Sequence, residues 1–240
     1  MIRRRPQRGR VTKRRRVGQA NQRQMVRRRR SNPRIGGFIG IENKFYDTEM
    51  AATSINASWA TYNPNTVDSL SVPAQGDGES NRDGKLFAIT SIHVKGAIFT
   101  GGTEAQGAPE DQHRFRVIIY LDTQTNGAEA TASDIMDAGG TDDTLAFRNL
   151  QYSKRFKVLY DRTLTTVPQI TSEASNIFSA GKAIRNFSFN KKFKTPIKVT
   201  CNGTGAGVSS CVDNNFGIAA IADSASNVSF QYQARIRFVG

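Results

Sequence analysis

Val228-Ser229-Phe230-Gln231-Tyr232-Gln233-Ala234-Arg235-Ile236-Arg237-Phe238 alternates between apolar and polar side chains along its whole length. A helix would scatter these residues around its circumference, whereas an extended strand sends successive side chains to opposite faces. The segment is predicted as a strand, with Val228, Phe230, Tyr232, Ala234, Ile236 and Phe238 facing a core and Ser229, Gln231, Gln233, Arg235 and Arg237 facing water. The same period marks two segments upstream. In 114–122, Phe115, Val117, Ile119 and Leu121 alternate with Arg114, Arg116, Ile118 and Tyr120; in 86–99, Ile92, Val94 and Ile98 stand opposite His93 and Lys95. Further strand candidates are 43–50 with 55–62, then 154–165, 184–190, 196–201 and 214–223.

Clusters of Gly, Asn, Asp and Ser separate these segments, at 74–84, 101–111, 123–130, 138–143 and 202–210, and read as loops. One short helix is predicted at 132–138, with Ser133 as its cap and Asp134 in the first turn, and residues 144–151 add a further turn. About eight strands with long connections and little helix indicate two packed sheets joined in Greek-key fashion. The predicted fold is all-β, a single eight-stranded jelly-roll sandwich.

The charge divides the chain in two. Of 34 Lys and Arg in 240 residues, 15 fall in residues 1–41, which hold no acidic residue; the first carboxylate is Glu42. The remainder carries 34 − 15 = 19 basic and 20 acidic groups, a balance of −1. Residues 1–41 are therefore expected to form a basic arm and residues 42–240 a near-neutral shell-like domain, with Gly36, Gly37 and Gly40 as a flexible joint.

In the arm Arg3, Arg4, Arg5, Arg8, Arg10, Lys13, Arg14, Arg15, Arg16, Arg23, Arg27, Arg28, Arg29, Arg30 and Arg34 are interspersed with Gly, Gln, Asn, Pro and Val. So little apolar surface cannot offset backbone entropy, and the arm is expected to be disordered in isolation, with 17–30 able to turn helical on a polyanion. A solvated tail and a membrane-surface arm are the competing readings. Like charges this dense favour a counter-anion, and apolar anchors for a bilayer are nearly missing. Guanidinium forks pair with phosphates and release counterions, so the arm is expected to bind nucleic acid without reading its sequence. The blocks at 13–16 and 27–30 also suit nuclear-import signals. No apolar run approaches the roughly 18–20 residues that cross a bilayer, and charge occupies the place of a secretory apolar region, so no membrane partner is expected.

Several segments of the body carry a family resemblance. Gln75-Gly76-Asp77 through Asn81-Arg82, Gly84-Lys85 and Ile89 to Ile98 with His93-Val94-Lys95-Gly96 inside it form the first. Phe115-Arg116-Val117-Ile118-Ile119-Tyr120-Leu121-Asp122, Lys154-Arg155-Phe156-Lys157-Val158-Leu159-Tyr160-Asp161, and Gly217 to Asp223 follow. In this order, behind a basic arm, they resemble the single-jelly-roll coat proteins of small icosahedral viruses, of the satellite tobacco necrosis virus type. Similar capsid proteins occur in small circular single-stranded DNA viruses that encode a replication initiator, and the long arginine blocks favour that group. The resemblance implies two four-stranded sheets, about 60 copies in a T=1-like shell, arms pointing inside, and a packaged single-stranded genome, DNA favoured over RNA. It further implies location in the virion, assembly in the host nucleus and contact with a nuclear-import receptor. The alternative is a cellular nucleic-acid-binding protein with a β-sandwich body and a basic tail.

In the body, Lys154, Arg155, Lys157, Lys191, Lys192 and Lys194 are the densest basic groups, readable either as an inner-wall contact with a genome or as solvated strand faces and salt bridges. Arg114, Arg116, Arg235 and Arg237 have the same two readings. Trp59 and Tyr62 suit base stacking or a buried interface. Asp77, Glu79 and Asp83 lack EF-hand spacing, and Asp142-Asp143 reads as surface, so no metal site is assigned; calcium at subunit contacts, known in the resembling family, has no ligands assignable here. Gly84-Lys85 and Gly181-Lys182 lack the Ser or Thr of a phosphate loop, and no nucleophile elbow or deaminase zinc motif surrounds His93 or His113. Cys201 and Cys211 flank a Gly-rich loop and could meet across it, with buried thiols the plainer state. No catalysis and no cofactor are expected.

Overall fold

The chain divides into two units, Met1–Gly40 and Ile41–Gly240. The computed structural model describes residues 43–55, 60–61, 70–100, 113–137, 143–166, 169–172, 178–181, 183–223 and 228–240. The arm and its glycine joint, Trp59, Tyr62, the loop 101–111, Asp142 and Lys182 lie outside the described residues.

Ten strands are described: β1 (Asn43–Ser54), β2 (Ala60–Thr61), β3 (Leu86–Thr100), β4 (His113–Asp122), β5 (Phe156–Thr166), β6 (Gln169–Ser172), β7 (Phe178–Gly181), β8 (Ala183–Thr200), β9 (Asn215–Ala222) and β10 (Val228–Val239). Eight of them form two four-stranded antiparallel sheets, ordered β1-β10-β3-β8 and β2-β9-β4-β5, while β6 and β7 form a separate hairpin. The chain changes sheet at each step from β1 to β4 and again from β5 to β8, β9 and β10. This is a jelly-roll sandwich, as the alternation implied.

The core lies between the sheets and is built from the alternating sets. Ile92, Val94 and Ile98 of β3, Phe115, Val117 and Ile119 of β4, and Phe230, Ile236 and Phe238 of β10 are fully buried. They pack with Phe216, Ile218 and Ala220 of β9 into one cluster. The outer set of β10 (Gln231, Gln233, Arg235 and Arg237) is exposed. Close approach requires glycine at two positions, Gly96 in this core and Gly217 on the outer face of the second sheet. A Cβ on Gly96 would stand 2.3 Å from the Phe187 ring, and one on Gly217 would stand 2.3 Å from the Tyr120 hydroxyl.

The second sheet is covered on both faces. Residues 123–137 and 143–155, between β4 and β5, lie over its outer side, so Ile118 and Tyr120 join Ala219, Ile221, Phe156, Ile135 and Met136 in a second apolar cluster. All eight residues of β9 are buried in consequence. A helix, α1 (Ala132–Ile135), sits in this cover. It is shorter than the 132–138 expected, and its cap is Thr131 rather than Ser133. The Thr131 N–H donates to the Asp134 carboxylate at 3.0 Å, and Met136 already pairs with Arg148 in a β-bridge.

Two further boundaries differ from the sequence reading. The segments 184–190 and 196–201 are parts of one strand, β8, interrupted in register where Ile89 pairs with Ile197 and Ser91 with Lys192. Pro196 falls in that interruption, on an edge strand, where its missing N–H removes no ladder bond. The hairpin β6–β7 has no counterpart among the expected strands.

Candidate nucleic-acid interface

Among the described residues Arg82 is the largest fully buried side chain, and no carboxylate of theirs holds it. Its Nε donates to the Pro73 carbonyl at 3.0 Å, and its two terminal nitrogens donate to the carbonyls of Gly84 and Gly203. The planar fork of five donors thus ties the loop 70–84 to the loop after β8. The neighbouring Asp83 accepts from buried Lys44. Among the described residues, no three His, Cys, Asp or Glu side chains gather around a point where a metal ion could sit.

Other basic residues singled out in the sequence are engaged inside the body. Arg116 forms a bidentate pair with Asp161 (2.7 and 2.8 Å) and donates to the carbonyls of Thr144 (3.3 Å) and Ala146 (2.6 Å). Burial would raise the Asp161 carboxyl, but the hydrogen bonds and charge of Arg116, with Arg148 behind it, hold it below its ordinary range. Arg155 makes two 2.8 Å bonds to buried Asp122 and lies over the Phe156 ring, and this bonding raises its affinity for its proton further. Arg235 pairs with Asp47 at 2.6 and 2.5 Å. The Arg114 backbone N–H donates to the Asp223 carboxylate at 2.6 Å, and the His113 ring lies 3.5 Å from the same side chain.

Four further cations stand on one flank of the sandwich, where β5 and β8 are the edge strands of the two sheets. The flank is closed by Tyr160, whose ring lies 6.1 Å from Phe187 and 5.6 Å from Phe189. Farther along it, Arg185 of β8 donates to the Thr165 carbonyl of β5 at 3.0 Å. Ladder register shows which side chains share this flank. Lys157 and Arg162 pair with Leu121 and Val117, and Arg185 and Lys191 pair with Ile98 and Ile92, all core-facing partners. Lys157, Arg162, Arg185 and Lys191 therefore stand along the inward-facing sides of the two edge strands, and all four are exposed. β8 carries Arg185, Lys191, Lys192, Lys194 and Lys198 with no acidic residue, and the one acid of β5, Asp161, is held by Arg116.

The expected basic patch is thus rearranged. Lys154 is exposed in the turn before β5, Arg155 is bound to Asp122, and Lys192, opposite Ser91, projects to the other face from Lys191. Arg162 and Arg185 join the flank though the density of charge along the sequence did not single them out. For Arg185 the signal that could have found it is the acid-free composition of 183–200; Arg162, next to Asp161 in sequence, carries no such signal.

Cys201 and Cys211 do meet across the Gly-rich loop, as partners in an isolated antiparallel bridge, and both are buried free thiols. Burial, with Cys201 beside it, pushes the Cys211 thiol up to about 12.

No protein-family model matches the chain, and no curated protein matches it. Solved structures that it is similar to include Desmodium yellow mottle tymovirus, at 9% identity over 83% of this chain and 88% of that one, with a TM-score of 0.29. The 60-mer BFDV capsid protein is another, at 8% identity over 83% and 92%, with a TM-score of 0.32. The described body is a jelly-roll sandwich, and these structural neighbours are viral capsid proteins.

Proposed function

We propose that this chain is the coat subunit of a small icosahedral virus, in which about 60 jelly-roll bodies build a T=1-like shell and the arms hold a single-stranded genome, DNA rather than RNA. The observation that carries the reading is the union of a near-neutral jelly-roll body, whose charge balance is −1, with an arm of 15 basic and no acidic residues. Bodies of almost no net charge can pack side by side, and arms of high charge attract a polyanion at long range. About 60 arms of 15 charges supply on the order of 900 positive charges, which neutralises a similar number of phosphates. Lys157, Arg162, Arg185 and Lys191, with Lys154, Lys192 and Lys194 as further exposed cations of the body, add phosphate contacts to those of the arm.

The reading makes the protein structural and assigns it no catalysis. It places the chain in the virion, and in the host nucleus during assembly, carried there by an import receptor that reads the blocks at 13–16 and 27–30.

The test is deletion of residues 2–34. The body should fold and the ratio of absorbance at 260 to 280 nm in sedimenting particles should fall to that of protein alone. Particles of the deletion variant with full nucleic-acid content would overturn the arm's role.

A further inference from the structure

Residues 143–153 form a ridge on the cover of the second sheet, and their backbone is held at almost every step. Arg116 donates to the carbonyls of Thr144 and Ala146, the Asp137 N–H to Phe147 (2.8 Å), the Asn149 N–H to Ile135 (2.9 Å) and the Ser153 hydroxyl to Leu150 (2.8 Å). Yet from this fixed backbone Leu145, Phe147 and Leu150 project into solvent, 63%, 85% and 79% exposed, with Tyr152 beside them at 38%. Among the described residues the other exposed large apolar side chains, Phe45, Leu86 and Ile184, stand one each on β1, β3 and β8.

The ridge exposes on the order of 400 Å² of apolar surface, as large as the largest patch of an ordinary monomer. That is about half of the roughly 800 Å² that each partner buries in a stable protein contact. A nucleic acid suits it poorly: two of its three most exposed side chains are leucines without a ring to stack on a base. The neighbouring Arg116 and Arg148 are turned to Asp161, Arg148 at 3.7 Å. Alongside runs a hollow of about 580 Å³ lined by Leu145, Phe147, Arg148, Asp161 and Thr163 among others. A ridge and a hollow side by side on one face are what two copies related by a two-fold axis need to fill one another. A body balance of −1 puts no repulsion between them.

We propose that the 143–153 ridge is a contact with a second copy of this chain, anchored by Phe147 and Leu150. The identity of the partner rests on the coat-subunit reading. The test uses the full chain, with single-stranded DNA present, comparing the wild type, Phe147→Glu with Leu150→Glu, and Phe147→Trp. Each is followed by sedimentation velocity, thermal unfolding and DNA binding. The double variant should unfold with the wild type, bind DNA equally, and form particles only at concentrations raised about 10-fold or more, as expected for loss of central anchors; Phe147→Trp should assemble normally. If the double variant unfolds early, Phe147→Ala, which removes only exposed atoms, is read in its place. Normal particles from the double variant would overturn the contact and leave the coat reading standing. Normal particles with a reduced DNA content would overturn it in favour of a genome-binding ridge. A wild type that stays monomeric with and without DNA would overturn both readings together.

Discussion

In residues 1–41 fifteen basic side chains have no carboxylate among them, whereas in the body Arg82, Arg116, Arg155 and Arg235 each end on a carbonyl or a carboxylate. The residue type is the same and its availability is opposite. A guanidinium beside an acid in a folded body becomes a fixed brace, and its charge is cancelled where it stands. A guanidinium bound by buried carbonyls, as Arg82 is, becomes the same kind of brace, and only an exposed one with neither partner in reach keeps its charge for an external anion. The flank between β5 and β8 is the part of the body that resembles the arm in this respect, because Lys157, Arg162, Arg185 and Lys191 line it and β8 carries no acid.

The comparison is sharpest at Arg82. Removing it by Arg82→Ala takes the donor from three carbonyls in two loops, those of Pro73, Gly84 and Gly203, and should cost about 3 kcal/mol in chemical unfolding. Arg82→Lys should recover little, since one ammonium cannot span a three-way fork. Nucleic-acid affinity of whatever folds should be unchanged, and a loss of affinity at full stability would erase the distinction between brace and free charge.

Arg116→Ala should be the next largest, about 1–3 kcal/mol, because it frees a half-buried carboxylate and two carbonyls at once. Its partner gives a pH signature. Asp161 is held below its ordinary value, so the folded state takes up this proton less readily than the unfolded chain. The stabilisation is complete above the ordinary carboxylate range and is lost as the pH falls through the folded value. Asp161→Asn should flatten the acid limb of a stability–pH curve, and an unchanged limb would show that other carboxylates set it. At the alkaline end, burial raises the hydroxyls of Tyr120 and Tyr232, so their contribution is complete below the ordinary tyrosine range and is lost above it. Tyrosinate absorbance from these two should rise only as the protein unfolds.

The smallest effect on stability, and the most informative on binding, is expected from Lys157→Gln with Lys191→Gln. Exposed cations without a partner should change unfolding by less than about 0.5 kcal/mol. If both meet phosphates, the slope of log affinity against log salt for single-stranded DNA should fall by about 1.4. An unchanged slope would return the flank to the status of a solvated edge.

Much of this fold was legible because one face of most strands meets water. In β10 the alternation of Phe230, Tyr232 and Ile236 with Gln231, Gln233 and Arg235 reports both the strand and its inward side. In β9 it reports nothing, since a strand covered on both faces is apolar throughout. Ile118 and Tyr120 were ambiguous for the same reason: the segment that covers them follows in the chain as a loop without period. Thr131 and Ser133 are both good caps, and only the bond to Asp134 separates them.

From the sequence alone come the strand pattern, the jelly-roll class and the separation of a cationic arm from a near-neutral body, because periodicity and net charge are properties of consecutive residues. Which cations are free and which are braces was decided by the tertiary structure. Lys157 and Lys191 belong to different sheets, and Arg155 lies beside Lys154 in sequence but is bound to Asp122 in space. Charge acts across a few ångströms whatever the chain distance, so the pairing of each arginine, and the exposure of Phe147 on a rigid ridge, exist only once the sandwich has closed.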